Sequence, residues 1–249
     1  MQINITVSLF NRPDYSRQVL DHLAKCINVE HFQILVNIDK SPYQEELAEL
    51  VAEFSTDLDI YSHMCPKNLG CNKAIYECLD WGFEDADFNV HIEDDILLAQ
   101  DALQYFEYCA NTYVNRQAIF TVDGYNNQPY DLSSNKQYEL NATKSFKPWG
   151  FGIWKDRWES IKDRWQFGYG SIYEQGKRVL DSGGWDVNMK KNLKGDRYRI
   201  YPRLARTKNI GAKGGVHTPS EEWHNKKHGI DLWADNVITD FPSKIDFHF

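Results

Sequence analysis

The sequence predicts an α/β protein in which helices cover both faces of a mainly parallel sheet. Over residues 1–122, five short runs of aliphatic and β-branched residues alternate with longer amphipathic segments. This alternation is typical of parallel strands that are joined by crossover helices. Beyond residue 122 the alternation stops and polar stretches appear. We therefore expect a single domain with two halves, residues 1–122 and 123–249.

The first expected elements give the order strand, helix, strand, helix, strand. Residues 3–10 (INITVSLF) and 32–38 (FQILVNI) have the length and β-branched content of buried strands. Residues 15–26 follow an Asn-Arg-Pro-Asp turn, and proline is favoured at the start of a helix. Residues 44–54 carry apolar side chains at helical spacing, and residues 59–62 form a short strand.

The next elements complete the alternation of the first half. An Asn-Leu-Gly turn at residues 68–70 precedes a helix over 72–81. Residues 88–92 form a strand that ends in acidic residues. A helix over 101–114 and a strand over 118–122 follow.

The second half is predicted to be less regular. Residues 123–145 are rich in Asn, Gln, Ser and Tyr, which indicates a long loop of a kind that is usually functional or mobile. Helices are expected over 155–163 and from Trp185 to about Leu193. A short strand over 199–202 and a glycine-rich return over 206–217 complete the chain's regular part.

Composition and charge exclude several classes of protein. The 249 residues carry a net charge of -8, which argues against a nucleic-acid partner because no broad basic face is available. No apolar run reaches the ~20 residues that span a membrane, so no transmembrane segment is expected. The five cysteines form no C-x-x-C pair, which argues against structural zinc. Their odd number and the absence of a signal peptide predict a cytoplasmic location.

Three further features leave alternatives open. Residues 186–206 are locally basic, as expected either for a surface that faces a small anion or for a solvated face. The eight tryptophans fit either sugar stacking or a large core. Trp223, Trp233 and Phe249 fit either peripheral association with a membrane or a packed tail.

Glu93, Asp94 and Asp95 stand at the C-terminal end of an expected strand. Three adjacent carboxylates repel one another unless a cation neutralises them, and Mn²⁺ or Mg²⁺ takes such oxygen ligands. In α/β proteins, ligands bind at the C-terminal ends of strands. Side-chain alternation predicts that Glu93 and Asp95 face one way and Asp94 the other. The triplet therefore predicts a metal and phosphate site, with a solvated acidic turn as the alternative.

Polar residues in neighbouring turns are candidates for the same site. Arg12 follows the first strand and is expected to reach a base or a diphosphate. Asp39 follows the second strand and either accepts a hydrogen bond from a base or caps its own turn. The helix that begins after residues 68–70 offers backbone N–H groups to an anion, and Lys73 adds positive charge.

The second half contributes an acid and an imidazole. Asp186 follows Trp185, and an apolar neighbour raises the pKa of a carboxyl group and suits it to general base catalysis; helix capping is the alternative. His217 lies in the glycine-rich return and is either a ligand for Mn²⁺ or a loop residue. His224 and His228 are expected on the surface.

Together these residues resemble nucleotide-diphospho-sugar transferases of the GT-A fold, a Rossmann-like fold of glycosyltransferases. The chain is similar to bacterial HlpA-like proteins and more distantly to the N-acetylglucosaminyltransferase I family. The resemblance runs from about residue 3 to residue 218. Its segments are Phe10-Asn11-Arg12-Pro13-Asp14, Asn68-Leu69-Gly70-Cys71, Asp80-Trp81, Glu93-Asp94-Asp95, Trp149-Gly150-Phe151-Gly152-Ile153-Trp154, Trp185-Asp186, Ala205-Arg206-Thr207 and Asn209-Ile210-Gly211.

The resemblance implies metal-dependent transfer from a UDP-sugar such as UDP-GlcNAc to a hydroxyl of a glycan, a lipid-linked or a protein acceptor, with inversion. It implies a role for each matched residue: metal binding for Asp95, ribose contact for Asp94, support of the nucleotide site for Glu93, uridine contact for Arg12 and Asp39, and general base for Asp186. We place Trp149, Gly150 and Lys73 in the nucleotide-sugar site, and His217 beside the metal. Trp149 and Trp185 are expected to stack on sugar rings, and residues 123–145 to close over the donor.

Two departures keep other functions open. The chain lacks the membrane anchor and stem of N-acetylglucosaminyltransferase I, a Golgi enzyme, which leaves the acceptor undetermined. Its segment over residues 149–154 differs from that enzyme's glycine-rich equivalent, which leaves the donor sugar undetermined. A retaining transferase on the same fold and an inactive carbohydrate- or nucleotide-binding module are the alternatives. A sugar-phosphate nucleotidylyltransferase is disfavoured because the turn at residues 11–14 has no glycine-rich phosphate loop.

Overall fold

The computed structural model describes residues 1–126, 140–167, 172–174, 177–180, 184–213, 220–228, 233, 235 and 245–247. A single 3₁₀ turn, Val29–His31, precedes the second strand. The elements of the first half are β1 (Ile3–Leu9), α1 (Pro13–Ala24), β2 (Gln33–Ile38), α2 (Gln44–Phe54), β3 (Ile60–Met64), α3 (Cys71–Gly82), β4 (Phe88–Glu93), β5 (Ile96–Leu98), α4 (Ala102–Tyr113) and β6 (Ile119–Asp123).

The second half has shorter elements. They are β7 (Leu140–Thr143), β8 (Phe151–Trp154), α5 (Lys155–Lys162), β9 (Ile172–Glu174), β10 (Lys177–Leu180), α6 (Trp185–Asn192), β11 (Tyr198–Pro202), β12 (Thr207–Asn209), α7 (Glu221–His228) and β13 (Ile245–Phe247). Each strand and helix predicted from the sequence is present, with ends that differ by one or two residues.

One sheet of nine described strands organises the molecule, in the order β13-β7-β11-β6-β8-β4-β1-β2-β3. The four strands β4, β1, β2 and β3 pair in parallel, as expected for crossover helices. β8 lies antiparallel between β4 and β6 and joins the two halves. The β11–β6 and β13–β7 pairs are also parallel, and the predicted mainly parallel sheet is therefore confirmed.

Seven short strands of the described ranges were not predicted from the sequence: β5, β7, β8, β9, β10, β12 and β13. β5 pairs with β12 in a separate two-stranded ribbon, and β7 and β8 belong to the main sheet. β8 depends on Gly152, because a Cβ atom there would lie 2.2 Å from the ring of Phe88 on β4. The predicted loop over residues 123–145 is therefore shorter at both ends, and its residues 127–139 lie outside the described ranges.

Two buried clusters cover the two faces of the sheet. One consists of aliphatic residues of β1, β2 and β4 packed against α1, α2 and α4. The other is aromatic and packs α3, α5 and α6 against β6 and β8. Trp154, Trp158, Trp165 and Trp185 are all buried. Half of the eight tryptophans therefore lie in the core, and Trp185 is one of them rather than part of a sugar-binding surface.

Two arginines of the basic segment over residues 186–206 are buried in ion pairs, so the segment is not a solvated face or an open anion-binding surface over its whole length. Arg199 is fully buried against Asp123, with Nη1 to Oδ2 at 2.9 Å. Arg206 is buried against Asp101, with Nη1 to Oδ1 at 2.7 Å. These ion pairs fasten β11 to the end of β6, and the approach to β12 to the residue that precedes α4.

Near the C-terminus, Trp233 contacts His22 and lies under the ammonium group of Lys208, whereas Trp223 is exposed. Phe249 lies outside the described ranges. Among the helices of the described ranges, none combines the length and the apolar character that crossing a membrane requires.

Candidate active site at the carboxyl edge of the sheet

The candidate site forms because β1 and β4 are adjacent parallel strands. Ser8 pairs with Glu93 near the end of both strands, so the chain leaves them at the same edge of the sheet. Arg12 follows β1, and Asp94 and Asp95 follow β4. This edge is where α/β sheets bind ligands, and the structure brings these three predicted residues together there.

Asp94 and Asp95 share the guanidinium of Arg12. Nε of Arg12 donates to Oδ2 of Asp94 at 3.1 Å, and Nη2 donates to Oδ1 of Asp94 and to Oδ2 of Asp95, the latter at 3.0 Å. The predicted alternation of side chains is wrong here. β4 ends at Glu93 and a tight turn precedes β5, so the two aspartates converge on one cation instead of facing opposite ways.

Asp95 is also held by the segment that follows β12. Nδ2 of Asn209 donates to Oδ1 of Asp95 at 3.3 Å, and the backbone N–H of Ile210 donates to the Asp95 carbonyl at 2.9 Å. Gly211 is required beside it, because a Cβ atom there would lie 2.0 Å from Oδ2 of Asp95. No role was predicted for Asn209, although the Asn-Ile-Gly segment was part of the resemblance.

His224 extends this contact to α7. Its Nε2 lies 3.2 Å from Oδ1 of Asn209, and its ring stacks on Trp149 with centroids 5.7 Å apart. The prediction that His224 lies on the surface is therefore wrong, because the residue is buried. His217, the predicted metal ligand, and the side chain of His228 lie outside what the structure describes.

The carboxylates of the site shift one another's protonation. Burial raises the pKa of Glu93 well above its usual value, and the charges of Asp95 and Asp94 raise it further. Burial also raises the pKa of Asp94 and of Asp95, and the contacts with Arg12 oppose both shifts. The cluster therefore sets three carboxyl groups against one guanidinium, and the shifts favour protonation of Glu93 in particular.

Asp186 lies in the first turn of α6, near this cluster. Its carboxylate raises the pKa of Glu93 and that of the Cys71 thiol, whose desolvation is the largest cause and which also senses Glu93, Asp94 and Asp95. Nζ of Lys190 lies 2.5 Å from Oδ2 of Asp186. The predicted base thus lies near the triplet and is partly exposed, while Trp185 anchors its helix in the core.

Asp39 organises the turn before α3. Its Oδ1 accepts hydrogen bonds from the backbone N–H groups of Lys40 and Leu69, each at 2.8 Å, and its Oδ2 accepts one from Gly70 at 3.1 Å. Two N–H groups of the proposed anion site therefore already have a partner. Lys73 is exposed and pairs with Glu77 on its own helix at 3.5 Å.

Trp149 and Gly150 form the turn that enters β8. The Trp149 ring meets Tyr125 edge to face at 4.5 Å, and its carbonyl accepts a hydrogen bond from Oγ1 of Thr207 at 2.6 Å. Gly150 has φ +79°, and a Cβ atom there would lie 2.6 Å from the Thr207 methyl. These contacts link the turn to β12 and so to the Asp95 site.

The chemistry of these side chains fits a divalent cation. Asp94 and Asp95 already share one cation, the Arg12 guanidinium, and the Asn209 amide lies beside them. Carboxylate oxygens are ligands that Mg²⁺ and Mn²⁺ prefer. Within the described ranges, no three His, Cys, Asp or Glu side chains are grouped as metal ligands, so the fit to a cation rests on the carboxylates of this turn.

Comparison with known proteins extends the resemblance. No family model matches the chain. An alpha-1,3-mannosyl-glycoprotein 2-beta-N-acetylglucosaminyltransferase of Arabidopsis thaliana is 25% identical over 125 residues, which are 49% of this chain and 24% of that protein. The match thus spans about a quarter of that relative's length.

Solved glycosyltransferase structures share the architecture. S. aureus TarS 1-349 matches with a TM-score of 0.54 and 14% identity over 83% of this chain and 60% of that chain. The mannosyltransferase PcManGT from Pyrobaculum calidifontis, in complex with GDP-Man and Mn²⁺, matches with a TM-score of 0.57 and 14% identity over 93% of this chain and 62% of that chain. GalNAc-T7 with UDP, GalNAc and Mn²⁺ matches with a TM-score of 0.58 and 9% identity over 90% of this chain and 47% of that chain. The chain therefore has the GT-A fold of these glycosyltransferases, as predicted from its sequence.

Proposed function

We propose that this protein is a metal-dependent glycosyltransferase that moves a sugar from a nucleoside diphosphate sugar to an acceptor hydroxyl with inversion. The observation that carries the proposal is the meeting of Arg12, Asp94 and Asp95 at the carboxyl edge of β1 and β4, near Asp186. The GT-A fold supports it, since two of the similar structures hold a nucleotide or nucleotide sugar together with Mn²⁺.

The proposed donor is a UDP-sugar such as UDP-GlcNAc. The curated relative is named as an N-acetylglucosaminyltransferase, and TarS 1-349 also matches in its complex with UDP, with a TM-score of 0.51. PcManGT holds GDP-Man, so guanosine donors belong in any test. The proposed acceptor is a hydroxyl of a glycan, a lipid-linked molecule or a protein, and cytoplasmic polysaccharide synthesis is the proposed setting.

The proposed nucleotide side of the site combines the contacts described above with the roles that the resemblance implies. Asp95 and His217 would hold Mn²⁺ or Mg²⁺, which would neutralise charge on the diphosphate and stabilise the leaving nucleotide. Asp94 is assigned to the ribose and Glu93 supports the cluster. Asp39 fixes the turn before α3 and keeps lone pairs for a base N–H. Lys73 is assigned to the outer edge of the proposed nucleotide site.

The acceptor side depends on Asp186. Its carboxylate takes the proton of the acceptor hydroxyl, the oxygen forms a bond to the anomeric carbon, and the bond from that carbon to the diphosphate breaks. Lys190 holds Oδ2 and leaves Oδ1 for the proton. We propose that the Trp149 ring, which contacts Tyr125 and His224, also packs against the donor sugar.

Thermal unfolding with a panel of UDP-, GDP-, CMP- and dTDP-sugars, each with and without Mn²⁺, tests the donor site. A ligand at 100 times its Kd stabilises the folded state by about 2.7 kcal/mol. We expect this stabilisation with a UDP-sugar only when Mn²⁺ is present. No stabilisation by any nucleotide would support the inactive or carbohydrate-binding alternative.

Asp186→Asn tests the catalytic base. Loss of general base catalysis lowers the transfer rate by about 10²–10⁴-fold, whereas UDP binding should remain as in the wild type. Asp163→Asn, which changes an exposed carboxylate at the end of α5, is the control. Equal loss of UDP binding and transfer would contradict the assignment, and NMR of a product with retained anomeric configuration would contradict inversion.

A further inference from the structure

Arg12 occupies an unusual position for a residue that is expected to contact the donor. It directly precedes α1, and its side chain is 22% exposed. Its Nε and Nη2 atoms both donate to Asp94, and Nη2 also donates to Oδ2 of Asp95 at 3.0 Å. The guanidinium is therefore the cation that the acidic turn holds in this structure.

The surroundings of the guanidinium form a cradle. Its Cζ atom lies 5.2 Å from the ring centroid of Tyr15, whose hydroxyl donates to the carbonyl of Lys213 at 2.9 Å. On another side, Gly211 leaves room for both Asp95 and Arg12. A Cβ atom there would lie 2.0 Å from Oδ2 of Asp95 and 3.2 Å from Nη1 of Arg12. The turn after β12 therefore packs against the cation and one of its carboxylates at once.

We propose, building on the function proposed above, that Arg12 is a displaceable internal cation. It neutralises Asp94 and Asp95 before the donor arrives. It leaves Asp95 when a divalent cation binds there, and it then binds the diphosphate of the donor. Arg12 is thus a positioning residue that couples metal binding to nucleotide binding.

Competition for one oxygen atom is the physical basis of this exchange. A divalent cation bound to Oδ2 of Asp95 would stand within contact distance of the Nη2 donor of Arg12, and the two positive charges would repel each other. Among the described residues, the carboxylates that pair with the Arg12 guanidinium are those of Asp94 and Asp95. When the guanidinium leaves Asp95, its Nε can stay on Asp94, and its other donors need another anion.

A diphosphate is the anion that fits the released guanidinium. The planar fork of arginine matches phosphate oxygens in a bidentate manner. The diphosphate must lie near the cation in any metal-dependent transfer, so the guanidinium has only a short distance to move. Because coupling between two ligands is reciprocal, each ligand should then strengthen the binding of the other.

Calorimetric titration of Mn²⁺ without nucleotide tests the exchange. Arg12→Gln removes the competing charge, so Mn²⁺ alone should bind to this variant at least about tenfold more tightly than to the wild type. The size of the effect follows because a charge at this distance shifts a binding equilibrium by about 1–3 log units. With Mn²⁺ at saturation, UDP should bind more weakly to Arg12→Gln. Mn²⁺ binding that is equal to or weaker than in the wild type would overturn the proposal.

Two further variants serve as controls. Arg17→Gln removes an arginine of α1 whose partner, Glu53, is exposed, and it should change neither affinity. Arg12→Lys keeps the charge without the fork, so Mn²⁺ affinity should stay near the wild-type value while UDP affinity falls. Thermal unfolding of each variant verifies the fold, and Arg12→Lys keeps the test decisive if Arg12→Gln does not fold.

The outcomes separate this proposal from the function on which it rests. If the Mn²⁺ affinities change as expected but the wild type transfers no sugar from any donor, the transferase proposal fails and the exchange stands. If neither the wild type nor Arg12→Gln binds Mn²⁺, the exchange is overturned.

Discussion

Two arginine–aspartate arrangements of this protein use the same types of side chain for different purposes. In the second half, Arg199 and Asp123 are both fully buried. At the carboxyl edge, Arg12, Asp94 and Asp95 keep side-chain exposures of 22%, 8% and 14%. Both arrangements stand at the end of a sheet strand, β6 in one case and β4 in the other.

The difference lies in how completely each carboxylate is satisfied. Asp123 accepts hydrogen bonds from Oγ1 of Thr121 at 3.0 Å and from the backbone of Lys147 at 3.2 Å, besides that from Arg199. Its buried pair matches one charge with one charge. The edge cluster instead sets one guanidinium against several carboxylates. A closed, balanced pair stabilises the fold, whereas an open, unbalanced cluster is suited to exchanging its cation.

Arg199→Met gives the largest expected effect on stability. It leaves the Asp123 carboxylate buried without its cation, and breaking such a pair costs about 3–5 kcal/mol. Urea unfolding at pH 7 measures this loss. A loss below about 1 kcal/mol would show that the closed pair does not hold the second half in place.

The pH dependence of the same variant has a defined sign. Burial raises the pKa of Asp123 to about 6 even with Arg199 beside it. Because the folded pKa is above the unfolded one, this group favours folding below about pH 4, and that contribution disappears as the pH rises through 6. Without Arg199 the pKa rises further, so the loss in Arg199→Met should shrink as the solution is acidified.

At the open cluster, Asp95→Asn should change ligand binding strongly and the stability of the fold only slightly. Stabilisation by a UDP-sugar with Mn²⁺ should disappear, because the variant lacks the carboxylate that is proposed to hold the cation. The free energy of unfolding should change by less than about 1 kcal/mol, since Arg12 keeps Asp94 and repulsion with Glu93 falls. Thermal and urea unfolding of one preparation measure both quantities, and unchanged nucleotide binding would contradict the metal assignment.

The alkylation rate of Cys71 should show the smallest effect. Cys71 is exposed, whereas the other four cysteines are buried. Desolvation and the nearby carboxylates raise the pKa of its thiol. Mg²⁺ on the cluster should lower that pKa and speed alkylation by iodoacetamide at pH 8 by about threefold, equivalent to ~0.5 pKa unit. Peptide mass spectrometry measures the rate, and an unchanged rate would place the cation elsewhere.

The same two halves also differ in how well their sequence predicts them. In the first half, β1 and β2 are apolar runs that both faces of the sheet bury, so their composition identifies them. By contrast, β8 and β12 of the second half, and β5 of the first, have three or four residues and depend on partners far along the chain. No local pattern encodes such pairing, and these strands were therefore missed.

The candidate site was likewise predictable in one part and not in another. Arg12, Asp94 and Asp95 follow strands that the alternation identifies, so their convergence at one edge could be expected. The contacts of Asn209 and His224 could not, because Asn209 reaches Asp95 across 114 positions through the pairing of β12 with β5. Their positions depend on tertiary packing, as does the unexpected sharing of Arg12 by two aspartates.

The insertion of β8 between β4 and β6 has a consequence for protein synthesis. β4 leaves the ribosome before its neighbour β8, with which Phe88 pairs at Trp154 and His91 at Phe151. At ~5–20 residues per second, the roughly 60 intervening residues take about 3–12 s to be made. During that interval the nascent chain exposes an unpaired apolar strand edge, which makes it a candidate for chaperone binding and for aggregation at high expression rates.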